Sequence, residues 1–277
     1  EAKSLILQVT LGCSNNECAF CEMYKTKKFT VRKFEEIREE IEKIARLNIA
    51  VQKVFLADGD AFVLSAKRLL EICEEVNVQL SSVRRISAYA LPSNINKKSV
   101  EELKKLKDAG LSLLYVGIES GDDEVLELIS KGESYKSTKL AMLKLKEAGI
   151  KASVMVLTGL GGRNYSQQHA VKSAELLNEI QPEFASTLVL SFPFGVDKYR
   201  KEFKGDYIEM NTNELLEELQ LFMEKLELSE TVFRSDHASN YLVLKGRLGK
   251  DKHQFLEQIK EALKNKDNLR PEWMRGI

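Results

Sequence analysis

Six short apolar runs between residues 4 and 191, separated by charged amphipathic stretches, constrain the fold of this chain more than any other feature. They are SLILQVT (4–10), VQKVFLA (51–57), RRISAYA (84–90), LSLLYVGIE (111–119), KASVMVLTG (151–159) and FASTLVLS (184–191). Each is rich in Val, Ile, Leu or aromatic residues, as strands covered on both faces are. Between them, KFEEIREEIEKIARL (33–47) repeats Phe34, Ile37, Ile41 and Ile44 at helical steps. SAKRLLEICEEV (65–76), SVEELKKLKDAG (99–110), STKLAMLKLKEAG (137–149) and SQQHAVKSAELLNEI (166–180) follow the same rule. Several open on a Ser that can cap a helix, and Gly110 and Gly149 stand where helices should end. Consecutive βα units predict parallel strands with helical crossovers. Six such units fall short of a closed eight-stranded barrel, so the fold class expected is α/β, an open partial (βα)6 TIM-like barrel. Chemistry in such folds gathers at the C-terminal ends of the strands.

From about Gly195 the rhythm changes. NTNELLEELQLFMEKLEL (211–228) and KDKHQFLEQIKEALKNK (250–266) read as helices, with FRSDHASNYLVLKG (233–246) between them. The expectation is a barrel over 1–194 and a helical C-terminal extension over 195–277, packed on the barrel and facing the substrate. The 42 basic and 42 acidic side chains cancel, so no global field steers the chain toward nucleic acid, which is not indicated. No run reaches the ~18 apolar residues of a membrane helix, and no membrane partner is expected. The chain begins with Glu, and no charged-then-apolar leader precedes Leu5. Four cysteines, three of them within nine positions, do not resemble a secreted disulfide framework, so a reducing cytoplasmic location is expected.

Those three, Cys13, Cys18 and Cys21, have the spacing Cys-x4-Cys-x2-Cys in LGCSNNECAFC (11–21), just past the first strand. Three thiolates can hold a four-iron cubane through three irons and leave the fourth open to a ligand. A structural zinc site normally closes with four ligands, and one of the three histidines would be needed as the fourth. The remaining cysteine, Cys73, lies on an apolar helical face and reads as a buried small hydrophobe. On the spacing alone, three readings stay open: an iron–sulfur enzyme, a zinc-stabilised TIM-like binding or regulatory protein, and an electron-transfer iron–sulfur protein.

CSNNECAFC, with an aromatic residue before its last cysteine, resembles the cluster loop of the radical S-adenosylmethionine (radical SAM) superfamily, and the resemblance extends over roughly residues 4 to 192. It implies a 4Fe-4S cluster held by Cys13, Cys18 and Cys21, with Phe20 packed beside it, and S-adenosylmethionine (SAM) on the open iron. LADGDAF occupies the place of the family's Gly-Gly-Glu-like segment, which implies that Gly59 and an acid, Asp60 or Asp58, receive the methionine ammonium. Ser87 in SAYALP stands where a polar residue meets the SAM carboxylate or ribose, with Tyr89 on the same face. YVGIESG resembles a Gly-Ile-Glu-Ser-Gly segment of the family, which gives Glu119 a SAM role and leaves Ser120 as a helix cap. In VLTGLGGRN, Gly159, Gly161 and Gly162 let backbone pass close to adenine, and Arg163 is a candidate for the SAM carboxylate. Leu190 and Phe192 would wall the adenine and Ser191 would reach it.

The function implied is reductive cleavage of SAM to a 5′-deoxyadenosyl radical that takes hydrogen from an unidentified organic substrate. An oxygen-sensitive cluster and an electron donor of the flavodoxin, ferredoxin or reductase type follow. FRSDHASNYL is the densest polar group outside the barrel and resembles a stretch in a subgroup of small radical SAM proteins of uncertain function. It nominates His237, Arg234 and Asp236 for substrate-side chemistry; the other reading is a hydrogen-bonded turn that docks the extension. His169 and His253 read as surface or boundary residues, and the only Trp, 273, as a pin for the tail.

Overall fold

The computed structural model describes residues 3–192 and 195–275. All six expected strands form: β1 (Leu5–Gln8), β4 (Lys53–Ala57), β5 (Arg85–Ala90), β6 (Leu111–Glu119), β7 (Lys151–Thr158) and β8 (Phe184–Val189). Four shorter ones join them: β2 (Thr10–Leu11), β3 (Thr30–Val31), β9 (Val232–Arg234) and β10 (Lys245–Arg247). The described residues form two compact units. One comprises 3–16, 21–116 and 140–152; the other comprises 17–20, 117–139, 153–192 and 195–275.

In the first unit β1, β4, β5 and the start of β6 pair in parallel, with Leu5 against Val54, Val54 against Ile86 and Tyr89 against Tyr115. Leu7, Val54, Leu56, Ile86 and Leu114 are fully buried, as strands covered on both faces require. The helix Phe34–Arg46 buries Ile37 and Ile41 and sets Glu35 and Glu36 in its first turn, where the helix dipole favours acids. Ser65 caps the helix Ala66–Gln79, and Ser99 with Glu102 forms a capping box on Val100–Asp108. A short hairpin, β2 with β3, brackets the cysteine loop, pairing Thr10 with Val31.

In the second unit β7, β8 and β9 pair in parallel, and β10 closes the ladder antiparallel to β9. The segment after residue 195 therefore contributes two strands as well as its helices, Thr212–Lys225 and Leu248–Lys264. Three-residue strands carry too little pattern to stand out in sequence. Two helices begin earlier than their serines suggest. Tyr135–Ala148 starts behind a reciprocal Ser134–Ser137 pair, and Gly162–Ile180 starts at the glycine turn itself. No helix among the described residues is long and apolar enough to cross a membrane.

Candidate active site

The cysteine loop is stapled to the end of β4 by the two aspartates that flank Gly59. Gly12 donates its N–H to Asp58 Oδ2 (2.8 Å), and the Ser14 hydroxyl bonds Asp60 Oδ2. Gly59 allows this approach: a Cβ there would lie 2.7 Å from the Tyr24 ring and 2.9 Å from Cys13 Cβ. Gly59 is thus needed for space. Burial and the Asp58 hydrogen bond push the Tyr24 hydroxyl pKa well up, keeping it neutral as a donor to Asp58.

The two acids are not equivalent. Asp58 is committed to the loop, whereas Asp60 is fully buried and accepts from Asn94 Nδ2 (2.5 Å) as well as Ser14. Its Oδ1 is buried without a partner, and burial pushes its carboxyl up to about 6. Nearby, burial pushes the Lys98 ammonium down to about 8; it bonds the Phe62 carbonyl at 2.8 Å. Asn94 and Lys98 had no sequence signal, because a polar residue in a helical stretch reads as surface. At the end of β5, Ser87 spends its hydroxyl on the Val54 carbonyl (3.3 Å), and Tyr89 packs against Phe55 and Tyr115.

In the second unit, residues 17–20 dock on the segment after β6, where Ala19 donates to the Ile129 carbonyl (2.9 Å). Glu119 ends β6 in the left-handed region (φ 62°) and folds its carboxylate back over Gly117, where any Cβ would meet Oε1 at 2.1 Å. It is buried and paired with Lys131 at 2.9 Å. Burial alone would push the Lys131 ammonium down, but Glu119 and Cys18 hold it above its usual value. The same ammonium lies 5.6 Å from the centre of the Phe20 ring. Lys131 is a buried cation beside Cys18 and Phe20 that the sequence did not disclose; LISKGES gives no pattern that separates a buried lysine from a solvated one. Ser120 does not cap the next helix directly. Asp122 does, accepting from Val125 N at 2.9 Å.

The glycine turn after β7 is roofed by later residues: Tyr207 donates to the Gly159 carbonyl (3.1 Å) and Tyr199 to the Leu160 carbonyl (2.7 Å). Arg163 is exposed and pairs with Glu214 at 2.7 Å. Gly159, Leu190, Ser191 and Phe192 line one cavity of about 390 Å³ together with Tyr241 and Arg275. Ser191 and Phe192 adjoin residues 193–194 of LSFPFG, which lie outside the described residues.

Segment 234–241 forms a bound turn. Asn240 ties it to β8 through the Val189 N–H (3.1 Å) and the Thr187 carbonyl (2.8 Å), and Arg270 bonds the His237 carbonyl (2.7 Å). His237 and Arg234 are exposed; His237 Nδ1 meets Ser239, and Asp236 pairs with Lys245 at 2.9 Å. None of the three lines the cavity beside Tyr241. Two expectations are corrected. His169 is buried at 1 % exposure, because its ring is bonded on both nitrogens, and Trp273 is 83 % exposed. The tail is instead pinned by Arg275, stacked 3.7 Å from the Tyr241 ring and bonded to the Ser239 carbonyl.

All four cysteines are outside any disulfide, and burial pushes the Cys73 thiol up to about 12, in keeping with an inert core residue. Among the described residues no three His, Cys, Asp or Glu side chains converge as ligands of one metal ion. Three thiols in one loop, with a buried carboxylate oxygen of Asp60 left open nearby in the same unit as Cys13 and Cys21, fit a cluster and an ammonium-bearing ligand.

The Radical SAM superfamily profile matches residues 7–176. An uncharacterised protein of Methanocaldococcus jannaschii is 22% identical over 98% of this chain and 79% of its own length. Among solved structures, coproporphyrinogen III oxidase (HemN) of Escherichia coli, described as a radical SAM enzyme, superposes with a TM-score of 0.60 at 14% identity, over 80% of this chain and 51% of its own. The radical SAM methyltransferase TsrM of Kitasatospora setae, solved with cobalamin and a [4Fe-4S] cluster, gives 0.54 at 21% identity over 67% of this chain and 36% of its own. The chain thus spans about half of HemN and about a third of TsrM, and these likenesses show the fold, the α/β partial barrel. Enzymes of this superfamily bind a 4Fe-4S cluster and SAM, and with well over half of its residues matched the chain belongs to the radical SAM superfamily, as one of its enzymes.

Proposed function

We propose that this chain holds a 4Fe-4S cluster through Cys13, Cys18 and Cys21 and cleaves SAM reductively to act on an organic substrate. The observation that carries the reading is the double staple of Gly12 and Ser14 to Asp58 and Asp60, which leaves Asp60 Oδ1 open and buried. When bound and reduced, the cluster supplies the electron that splits SAM into methionine and a 5′-deoxyadenosyl radical, which takes a hydrogen atom from the substrate.

The chain's own residues bind and orient. Asp60 accepts the ammonium of SAM, and Gly59 keeps the loop close. Lys131, a buried cation held by Glu119, offers its charge to the SAM carboxylate; Arg163, already paired with Glu214 in solvent, is the weaker candidate. Ser87 is a candidate for the SAM carboxylate or ribose, and Glu119 for a ribose hydroxyl or the ammonium. Phe20 shields the cluster loop from water, and Leu190, Ser191 and Phe192 wall the adenine beside Gly159. The extension, 195–277, faces the substrate, with Arg234, Asp236 and His237 as its acid–base candidates. A flavodoxin, ferredoxin or reductase in a reducing cytoplasm delivers the electron, in keeping with four cysteines outside any disulfide.

Anaerobic reconstitution with iron and sulfide tests this. About four irons per chain and dithionite-driven formation of 5′-deoxyadenosine are expected, both lost in Cys18→Ala. Absence of iron after reconstitution, or intact SAM over a loaded cluster, would sink the proposal.

A further inference from the structure

A buried polar brace in the second unit is used by none of these roles. Ser120, the residue after Glu119, accepts the Asp122 N–H (3.0 Å) and meets His169 Nδ1 at 2.8 Å. His169 Nε2 lies 3.0 Å from the Leu157 carbonyl, which can only accept. Nε2 therefore carries a hydrogen and donates it to that carbonyl. Two residues on, the Gly159 N–H is held by Glu218 Oε1 at 2.7 Å, and Glu218 comes from the helix Thr212–Lys225. The turn after β6, the turn after β7 and that helix are thus tied through two side chains, 1 % and 4 % exposed.

The brace is incomplete as it stands. Glu218 Oε2 and Thr187 Oγ1 are both buried without a hydrogen-bond partner, which is costly for polar groups. Both residues line a single cavity of about 10 Å³, with Thr158 and His169 on its wall. Burial pushes the Glu218 carboxyl up against the opposing pull of His169, Ser166 and the Gly159 N–H. A buried water needs roughly 10–15 Å³ and two to four polar partners; this cavity stands at the lower end of that range and presents two.

We propose that one ordered water bridges Glu218 Oε2 and Thr187 Oγ1, and that Glu218, this water and His169 form a brace that positions the Gly159 turn for SAM. The inference rests on the proposed SAM site. It assigns a positioning residue to helix Thr212–Lys225, which lies beyond the residues matched to the superfamily, 7–176.

The test is SAM binding to the anaerobically reconstituted enzyme, measured by equilibrium dialysis. Glu218→Leu should weaken SAM binding about tenfold, the worth of one good hydrogen bond, with iron content unchanged. Glu218→Gln retains an acceptor for Gly159 and an amide for the water, and should bind within about threefold of wild type. A high-resolution crystal structure of the wild type should place one water in hydrogen-bond reach of Glu218 and Thr187, absent in Thr187→Val. Wild-type affinity in Glu218→Leu overturns the positioning role, and a dry cavity in the wild type overturns the water. Should Glu218→Leu not fold, a Glu218→Gln enzyme that fails to bind SAM at near wild-type affinity overturns the role. A wild type that loads iron but does not bind SAM instead brings down the functional proposal beneath it.

Discussion

Asp60 and Glu119 are both buried carboxylates at strand ends, one in each unit, and their partners differ in kind. Asp60 takes its hydrogen bonds from neutral donors, among them the Ser14 hydroxyl and the Asn94 amide, with the Lys98 ammonium nearby but not paired to it, and one of its oxygens has no hydrogen-bond partner. Glu119 is locked to the Lys131 ammonium at 2.9 Å. A buried carboxylate whose desolvation outweighs its partners is raised in energy and gains from an arriving cation; one already ion-paired gains little and instead fixes the cation that balances it. The two carboxylates are therefore suited to different tasks, each within its own unit: Asp60 to receive charge, and Glu119 to hold Lys131 charged.

The largest effect expected from breaking this contrast is at Lys131. Lys131→Met strands a buried Glu119 carboxylate and should cost about 3–5 kcal/mol in urea unfolding, while Lys131→Met with Glu119→Gln should recover most of it. An equal loss in single and double variants would show that the pair is not the cause. Asp60 should respond to pH instead. Its folded value of about 6 lies above the ordinary 3.8, so the folded chain holds the proton more tightly than the unfolded chain across that window. Stability attributable to Asp60 is therefore full below pH 3.8 and falls as pH rises to about 6, by up to about 3 kcal/mol. Denaturation of the metal-free protein across this range, beside Asp60→Asn, checks it; parallel curves would contradict the burial argument.

A smaller loss is expected at Gly59→Ala. Its new methyl would meet Tyr24 and Cys13 at 2.7 and 2.9 Å and should cost about 1–3 kcal/mol by overpacking. Smallest is Arg163→Ala, which removes an exposed pair worth about 0–1 kcal/mol and should leave SAM affinity unchanged. A marked loss of SAM binding there would move the carboxylate role from Lys131 to Arg163.

The fold was legible because buried strands and amphipathic helices write themselves as runs and periods: all six strands appear near their expected bounds. The cysteine loop and Gly59 were legible through spacing and position. What escaped is of another kind. Lys131, Asn94, His169 and Glu218 are polar residues in helical or loop stretches, and a sequence shows neither their burial nor their partners, which come from contacts 12 to 59 positions away. β9 and β10 escaped because three residues hold less than two periods of alternation. Segment 234–241 was singled out for its polar density, and much of that density is spent on docking: Asn240 binds β8, and Ser235 bonds the Leu242 carbonyl (2.9 Å).

The central claim, that the loop's cluster binds SAM with Asp60 as its ammonium acceptor, is tested most directly by electron paramagnetic resonance of the reduced, reconstituted enzyme. Addition of SAM should change the cluster spectrum of the wild type, and Asp60→Ala, loaded with the same iron, should need a much higher SAM concentration for that change. A wild-type spectrum indifferent to SAM would contradict the account.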